Sequence, residues 1–275
     1  HHTKMKSLLR FALLIILSTS WGAEAPPWAA SLTTGKGPGT FPFPPNAHLT
    51  YRFGWSGITA AEADVRLMNE GNLVKTTASG GTVGLARALF RLDLDHECLS
   101  HRSSLLPTRI VQDEKYKSED VKTTIVFTPK ATTSTRDVTP AKEPPKTKSI
   151  EFAPIFSFET AYFWLRSQPL TDGEKEVMVV YANNAAYLAT LQVVGREKIR
   201  IGDTERNAIR VNLNFKTIDQ NLQLKTYRRF KSGRGWISDD NYRIPLRVEA
   251  DIFVGYVFAE LQSFEPTSTK TADNQ

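Results

Sequence analysis

The chain has 275 residues, a formal net charge of +6 and 40% hydrophobic residues, which is enough to build one sizeable core in a single domain. The mild basic excess, with no concentrated basic stripe and no recognisable nucleic-acid-binding motif, argues against nucleic acid as the main partner. The single cysteine, Cys98, excludes an internal disulfide, so stability must come from the burial of side chains.

The N-terminus has the order of a secretion signal. Lys6 and Arg10 precede an apolar run at 11–17, and an Ala-Glu-Ala match to the cleavage pattern lies at 23–25. The run is far shorter than the roughly 20 residues of a membrane-spanning helix, and the only cysteine lies too far downstream for a lipid anchor. We therefore predict that residues 1–25 contain a cleaved signal and that the protein is periplasmic or secreted. Removal of residues 1–25 takes away three basic residues and one acidic residue and lowers the formal net charge from +6 to +4.

Alternation of apolar and polar residues marks most of the following chain. Tyr51, Phe53 and Trp55 alternate with polar residues, which predicts a strand with one buried face. Strands of this kind are predicted in the first half at 49–56, 60–68, 73–79, 91–101, 106–116 and 121–128. The proline- and glycine-rich residues 26–47 predict an extended, poorly ordered lead-in, and residues 129–149, with four prolines, predict a surface excursion with little order.

Two short helices interrupt the strands. The first is predicted at 82–90, with Thr82 as N-cap and Leu85 and Leu89 on its apolar side. The second is predicted at 157–166, with Ser157 as N-cap and an acidic residue in the first turn. Further strands are predicted at 175–181, 186–200, 205–217, 222–231, 234–238, 243–252 and 254–264, followed by a polar tail at 265–275.

This order of elements predicts an all-β fold. Eleven to thirteen strands without an alternating β-α order favour an antiparallel sheet that is strongly curved or barrel-like. We expect one β domain at 48–264, a monomer, with the second helix packed on the sheet.

Three motifs together are similar to a known family. They are the opening Leu-Thr-Tyr-Arg-Phe-Gly-Trp-Ser-Gly-Ile at 49–58, the helix ending Phe-Trp-Leu-Arg at 163–166, and the closing run Gly-Trp-Ile-Ser-Asp-Asp at 235–240 with Arg-Ile-Pro-Leu at 243–246. In order and spacing the chain resembles the bacterial exported proteins that share domain of unknown function 3108. One departure is the Pro-Ile-Phe-Ser that opens the helix at 154–157, where the family tends to have Asp-Pro. The resemblance implies export and a β architecture and transfers no catalytic residue.

One cluster contains residue types that bind metals. His96, Cys98 and His101 lie within six residues, and imidazole and thiolate suit zinc or copper. On a strand, however, His96 and Cys98 share one face and His101 points to the other. We therefore expect a partly exposed strand with a buried Cys98, and no metal or other cofactor.

Two patterns suggest hydrolysis. Gly54-Trp55-Ser56-Gly57 is reminiscent of a nucleophile elbow, but Ile58 stands where the last glycine of that motif belongs. Asp239 and Asp240 are adjacent acids that could serve an envelope hydrolase acting on glycan or lipid. Neighbouring residues of a strand point to opposite faces, so a turn capped by one of these acids is the simpler interpretation.

Basic and aromatic residues are interleaved from 225 to 234, which suits an anionic polymer or an exposed edge strand. The surface basic patch predicted here is Lys225, Arg228, Arg229 and Lys231.

Six aromatic residues are the candidate ligand-binding set. They are Tyr51, Phe53, Trp55, Phe163, Trp164 and Trp236, and they either form packed core or line an apolar pocket. The sequence therefore favours a non-catalytic exported domain that binds or carries a hydrophobic, lipid-like ligand, with lipid or envelope glycan as partner. The alternatives left open are the hydrolase and a structural interaction module of envelope assembly.

Overall fold

The computed structural model describes residues 25–226 and 232–267. One short compact unit ends at Ser31 and contains a 3-10 helix at Pro27–Ser31, and a second unit begins at Leu32 and contains all the strands. The predicted secretion signal, the distal part of the strand at 222–231 and most of the polar tail lie outside the described residues. No helix in the described ranges is long and apolar enough to cross a bilayer.

The described residues contain fifteen strands. They are β1 (Ala47–Trp55), β2 (Ile58–Glu70), β3 (Leu73–Thr82), β4 (Leu92–His101), β5 (Pro107–Tyr116), β6 (Asp120–Phe127), β7 (Thr132–Thr139), β8 (Lys146–Ile150), β9 (Lys175–Ala182), β10 (Ala185–Ile201), β11 (Thr204–Ile218), β12 (Leu224–Thr226), β13 (Ser232–Ser238), β14 (Pro245–Asp251) and β15 (Tyr256–Pro266). The two α-helices are α1 (Gly84–Leu89) and α2 (Phe158–Ser167).

All fifteen strands belong to one antiparallel sheet in the order β8-β7-β6-β5-β4-β3-β2-β1-β15-β14-β13-β11-β10-β9, with β12 paired to β11. The sheet curls until its two ends meet through side chains. The ring of Phe127 on β6 stands edge-on to Tyr181 on β9, with centroids 6.5 Å apart, and Ser134 on β7 donates a hydrogen bond to Asn184 at 2.7 Å. The sheet is therefore curled but open, which confirms the predicted antiparallel, barrel-like architecture.

Helix α2 lies against the inner face of this sheet, as predicted. Its N-terminus is fixed by a capping box, in which the Ser157 hydroxyl accepts from Thr160 N and the Thr160 hydroxyl accepts from Ser157 N. Two orphan donors of the first turn are satisfied in this way. Its apolar side joins the largest buried cluster of the described residues, in which Trp164 and Leu165 pack with residues of β9, β10, β11 and β13 such as Met178.

The outer edge of β9 is covered by backbone. Thr33 N donates to Val177 O at 3.0 Å, and Phe156 pairs with β9 through Phe156 N to Val179 O and Tyr181 N to Phe156 O, both at 2.8 Å. At the other end of the sheet, β8 has four exposed residues, among them Lys146 and Lys148.

The prediction of little order at 129–149 was wrong. The segment forms β7 and β8, because its threonines are β-branched and favour strands, while its prolines lie outside both strands. The strand count therefore exceeds the predicted eleven to thirteen.

Three further predictions need correction. The first helix begins at Gly84 after an N-cap at Val83, and Thr82 instead ends β3, where its hydroxyl accepts from Leu92 N at 3.1 Å. The lead-in is partly ordered, with a 3-10 helix at Thr34–Lys36, and β1 begins at Ala47. The tail begins later than predicted, because β15 continues to Pro266.

Candidate functional site

Two of the six candidate aromatic residues lie on opposite sides of α2. Trp164 is 2% exposed, and its indole Nε1 donates to Glu176 Oε2 at 3.4 Å. Phe163 is buried in a separate cluster with Leu67 and Val74 from β2 and β3. Helix α2 therefore fills the space between the strands with these side chains.

The other four candidates fall into two groups. Tyr51 and Trp236 pack in a third apolar cluster, where the Tyr51 hydroxyl donates to Pro245 O at 2.8 Å. Burial, followed by the charge of Tyr162, raises the pKa of Tyr51 well above its usual value. Phe53 and Trp55 are 38% and 44% exposed. The six aromatic residues therefore occupy three buried clusters and two exposed positions on β1.

His96 and Cys98 reach the N-terminus of α2 from the same face of β4. His96 Nε2 lies 2.7 Å from Glu159 Oε1, and Cys98 Sγ lies 3.5 Å from the Ser157 hydroxyl. His101 is exposed at the end of the strand. Within the described ranges, no three histidine, cysteine or acidic side chains converge in a way that could hold a metal ion.

The electrostatics of this cluster disfavour nucleophilic chemistry. Burial and then the Glu159 charge raise the pKa of the Cys98 thiol well above its usual value, which keeps it in the unreactive protonated form. The second imidazole nitrogen of His96, Nδ1, lies 3.3 Å from Gln112 Oε1. The two nitrogens of His96 thus face Glu159 and Gln112. Neither nitrogen is positioned to take a proton from Cys98 or Ser157.

The two adjacent acids have separate structural contacts. Asp240 Oδ1 accepts from the Ser238 hydroxyl at 2.7 Å and from Arg243 N at 3.0 Å, and so closes the turn between β13 and β14. The Asp239 carboxylate lies 3.9 Å from Arg196 Nε. Asp240 is thus occupied by the backbone of its own turn.

The residues of the elbow-like pattern form a hairpin turn. Ser56 and Gly57 connect β1 to β2 and have φ angles of 46° and 88°, as in the tight turns that join antiparallel strands. Gly54 is required by close packing, because a Cβ there would lie 1.9 Å from Ile58 O.

Of the predicted basic patch, only Lys225 lies among the described residues. It is exposed on β12, and its Nζ forms an ion pair with Asp219 at 3.0 Å. Arg228, Arg229 and Lys231 fall in the undescribed segment 227–231.

A surface that the sequence did not predict lies at one end of the sheet. Of the twelve large hydrophobic side chains that are exposed in the described part of the chain, eight belong to the strand ends, the turns and the helix at this end. We call this set the apolar rim, and its members are Phe53, Trp55, Ile58, Leu85, Leu89, Phe90, Phe253 and Val254.

Contacts between the chain segments make the rim continuous. Trp55 Nε1 in the β1–β2 hairpin donates to Val254 O in the β14–β15 turn at 2.8 Å. Helix α1 adjoins the start of β2, where Val83 N donates to Ala60 O at 2.9 Å. Phe90, just after α1, contacts Tyr116 at the end of β5 with ring centroids 5.7 Å apart. Three separate segments of the chain therefore present the side chains of the rim at the same end of the sheet.

The strongest charge cluster crosses the middle of the sheet. Glu260 on β15 is 1% exposed and accepts from Arg52 Nη2 on β1 at 2.6 Å and from Arg247 Nη1 on β14. Arg247 also donates to Glu249, which pairs with Arg234 on β13 at 3.1 Å. This ionic ladder places two guanidinium groups against a buried carboxylate, so Glu260 is held in place by cations.

The missed features share one kind of sequence signal. Ile58, Phe253 and Val254 are large apolar residues at or beside hairpin turns, where polar residues are usual. Such positions are exposed whichever face of the strand is buried. Large apolar residues at these turn positions are therefore the sequence signal that indicates the rim.

One solved structure with a TM-score above 0.5 supports the fold. The structure of a β-barrel-like protein of domain of unknown function DUF1849 from Brucella abortus matches with a TM-score of 0.55 and 8% identity over 83% of this chain and all of that chain. A Bacteroides fragilis protein, described as a candidate exported protein with a YmcC-like fold, has a TM-score of 0.34 and 9% identity over 83% of this chain and 99% of that chain. No curated protein matches the chain.

The family model described as protein of unknown function, DUF3108, matches residues 50–262. This range begins in β1 and ends in β15, so it covers β2 to β14, most of β1 and β15, and both α-helices. The chain therefore belongs to the DUF3108 family.

Proposed function

We propose that this DUF3108 domain is a non-catalytic exported protein that binds lipid-like molecules at the apolar rim. The observation that carries the proposal is the concentration of eight exposed large hydrophobic side chains at one end of the sheet. Scattered single hydrophobic residues are normal on protein surfaces, whereas contiguous ones mark interaction sites. Of the six aromatic residues singled out in the sequence, Phe53 and Trp55 are the two that belong to the rim.

The degree of exposure supports an apolar ligand. Ile58 is 64% exposed, and Leu85 and Leu89 are 77% and 80% exposed. Burying one such side chain contributes about 1.5–3 kcal/mol. Side chains on hairpin tips and a short surface helix can enter an acyl-chain region without rearrangement of the sheet.

Charges beside the rim support a lipid over an apolar protein partner. Lys115 and Lys117 lie at the β5–β6 turn next to Phe90, are exposed, and form no ion pair with any described residue. Basic side chains next to an apolar insertion surface are attracted to anionic headgroups.

The absence of catalysis is supported by the state of the reactive groups. Cys98 is buried with a raised pKa, Asp240 caps a turn, and Glu260 is held in place by two arginines. The secretion signal predicted at residues 1–25 supports export, which would bring the rim to an envelope membrane or to lipid in transit.

The test is sedimentation of the mature protein with vesicles of phosphatidylcholine, alone or mixed with phosphatidylglycerol. We expect Ile58→Asp/Leu85→Asp/Leu89→Asp to bind mixed vesicles at least about tenfold more weakly than the wild type, a loss of about 1.4 kcal/mol. Val126→Asp is the matched control, since Val126 is 42% exposed on β6 outside the rim, and it should bind normally.

Mass spectrometry of an organic extract separates the two sources of acyl chains. Lipid that co-purifies with the wild type and is missing from the triple variant indicates a carried molecule, and vesicle binding without co-purified lipid indicates a membrane surface. A wild type that neither sediments with vesicles nor retains lipid would refute the proposal and favour the interaction module.

A further inference from the structure

A groove of about 340 Å³, lined by seven polar residues together with Leu213 and Gly233, lies on the sheet face turned away from α2. Leu191 on β10 and Val211 on β11 point into the core beneath α2. Gln192 and Asn212, the next residue on each strand, therefore point to the opposite face of the sheet. The volume is at the lower end of the range for small-ligand sites, about 300–1,000 Å³.

The walls of the groove are rows of amide and hydroxyl groups. Gln192 on β10 is directly opposite Asn212 on β11, and Thr190 is opposite Asn214. Asn212 is in turn opposite Arg234 on β13, which lines the end of the groove. Three strands therefore supply one continuous hydrogen-bonding surface.

These amides are free to bind a ligand. The side chains of Gln192, Asn212 and Asn214 make no hydrogen bond to any other residue in the described ranges. Asparagine is also disfavoured in strands, so two asparagines at alternate positions of β11 have a local cost and no structural partner that offsets it.

The charges of the groove disfavour an anion. Arg234 is paired with Glu249 at 3.1 Å and with Asp251 at 3.0 Å. Arg210 lies 3.8 Å from Glu197, and its buried Nε donates to no group in the described ranges. Each guanidinium group thus has a carboxylate beside it, and the carboxamides between them are uncharged and offer both donors and acceptors.

We propose that this groove binds an uncharged saccharide. Sugar hydroxyl and acetamido groups are donors and acceptors on a ring of fixed shape, and the paired rows of carboxamides can meet them on adjacent strands. The groove is separate from the apolar rim, so the inference holds or fails independently of lipid binding.

The experiment uses chitotriose, three N-acetylglucosamine units, as the probe and pyrophosphate as an anionic counter-probe. Amide shifts of the isotope-labelled mature protein are followed by NMR during titration. We expect chitotriose to move the resonances of Gln192, Asn212 and Asn214, and pyrophosphate to leave them in place.

Variants tie the response to the groove. Asn212→Leu/Asn214→Leu should weaken chitotriose binding about tenfold or more, because it removes the carboxamides that would hydrogen-bond to the sugar. Asn207→Leu, an exposed position on the same strand outside the groove, should bind as the wild type does. The inference is overturned if chitotriose causes no shift, if pyrophosphate takes its place, or if the double variant binds unchanged while keeping the wild-type spectrum elsewhere.

Discussion

His96 Nε2 on β4 lies 2.7 Å from Glu159 Oε1, and this ion pair joins the sheet to the first turn of α2. Burial opposes protonation of His96, but the hydrogen bond and charge of Glu159 outweigh it and raise the pKa of the imidazole. Burial likewise opposes ionisation of Glu159, but His96 outweighs it and lowers the pKa of the carboxyl. The pair therefore stabilises the docking of α2 in its charged form.

These two shifts predict a pH dependence of stability. The contribution of His96 is complete below its ordinary pKa of 6.5 and is lost as the pH rises through the raised value. The contribution of Glu159 is complete above its ordinary pKa of 4.5 and is lost as the pH falls through the lowered value. We expect His96→Gln to lower the free energy of unfolding by about 1–3 kcal/mol between these two ordinary pKa values, and by less on either side.

Urea denaturation of the wild type and the variant across this pH range measures the difference in unfolding free energy. His101→Gln, at an exposed position, is the control, and a pH-independent effect of His96→Gln would refute the assignment.

The buried thiol is predicted to be inert. Cys98 is 1% exposed, and burial followed by the Glu159 charge raises its pKa, so little reactive thiolate is present. Ellman's reagent should label no cysteine in the native protein and one per chain in denaturing guanidinium. Rapid stoichiometric labelling of the native protein would contradict the buried position.

The ionic ladder is predicted to be sensitive at its centre. Glu260→Gln leaves Arg52 and Arg247 without their shared carboxylate, and breaking a buried pair of this kind costs about 3–5 kcal/mol. Urea denaturation of the variant gives the difference in unfolding free energy. Glu205→Gln, which breaks an exposed pair with Lys198, should leave the unfolding midpoint unchanged. Equal effects of the two substitutions would show that the ladder contributes nothing beyond a surface pair.

Gly54 is predicted to be irreplaceable for packing. A Cβ at this position would lie 1.9 Å from Ile58 O and 2.8 Å from the Phe258 ring, where β1 changes register against β2. Gly54→Ala should therefore destabilise the domain by about 1–3 kcal/mol or more, as overpacking does. At Gly35 a Cβ meets nothing within 4 Å, so Gly35→Ala should leave the melting temperature unchanged. A tolerated Gly54→Ala would mean that the hairpin adjusts.

Lipid binding at the rim is predicted to depend on salt. Each lysine near an anionic membrane contributes about 1 kcal/mol, so Lys115→Glu/Lys117→Glu should weaken binding to mixed vesicles by about tenfold or more and flatten its salt dependence. Lys198→Glu/Arg200→Glu is the matched control, since these residues lie beside the β10–β11 turn at the other end of the sheet. Sedimentation at several salt concentrations tests both variants, and equal losses would point to net charge alone.

The sequence predicted the fold well wherever one face of a strand is buried. The strand predicted at 121–128 is β6 at Asp120–Phe127, in which Val121 and Ile125 are buried and alternate with polar or exposed residues. The capped helix at 157–166 was placed within one residue, because Ser157 provides a strong local signal. Thr132–Thr139 was missed, since neighbouring prolines suggested a loop.

The candidate sites depend on contacts that local patterns do not contain. Trp55 and Val254 meet because β1 pairs with β15, although they are 199 residues apart in the chain. Gln192 and Asn212 form one row of the groove because β10 pairs with β11 in a particular register. Alternation predicts that a strand exists, but its partner and register follow from the packing of the whole sheet.

The backbone bonds from Thr33 and Phe156 to β9 have a consequence for self-association. An open sheet has two borders at which a foreign strand could add, and here one of them is already taken by segments of the same chain. At the other border, a second molecule would have to bring its own Lys146 and Lys148 against an identical pair. Both borders of this open sheet thus disfavour strand addition by a second molecule, although the sheet does not close into a barrel.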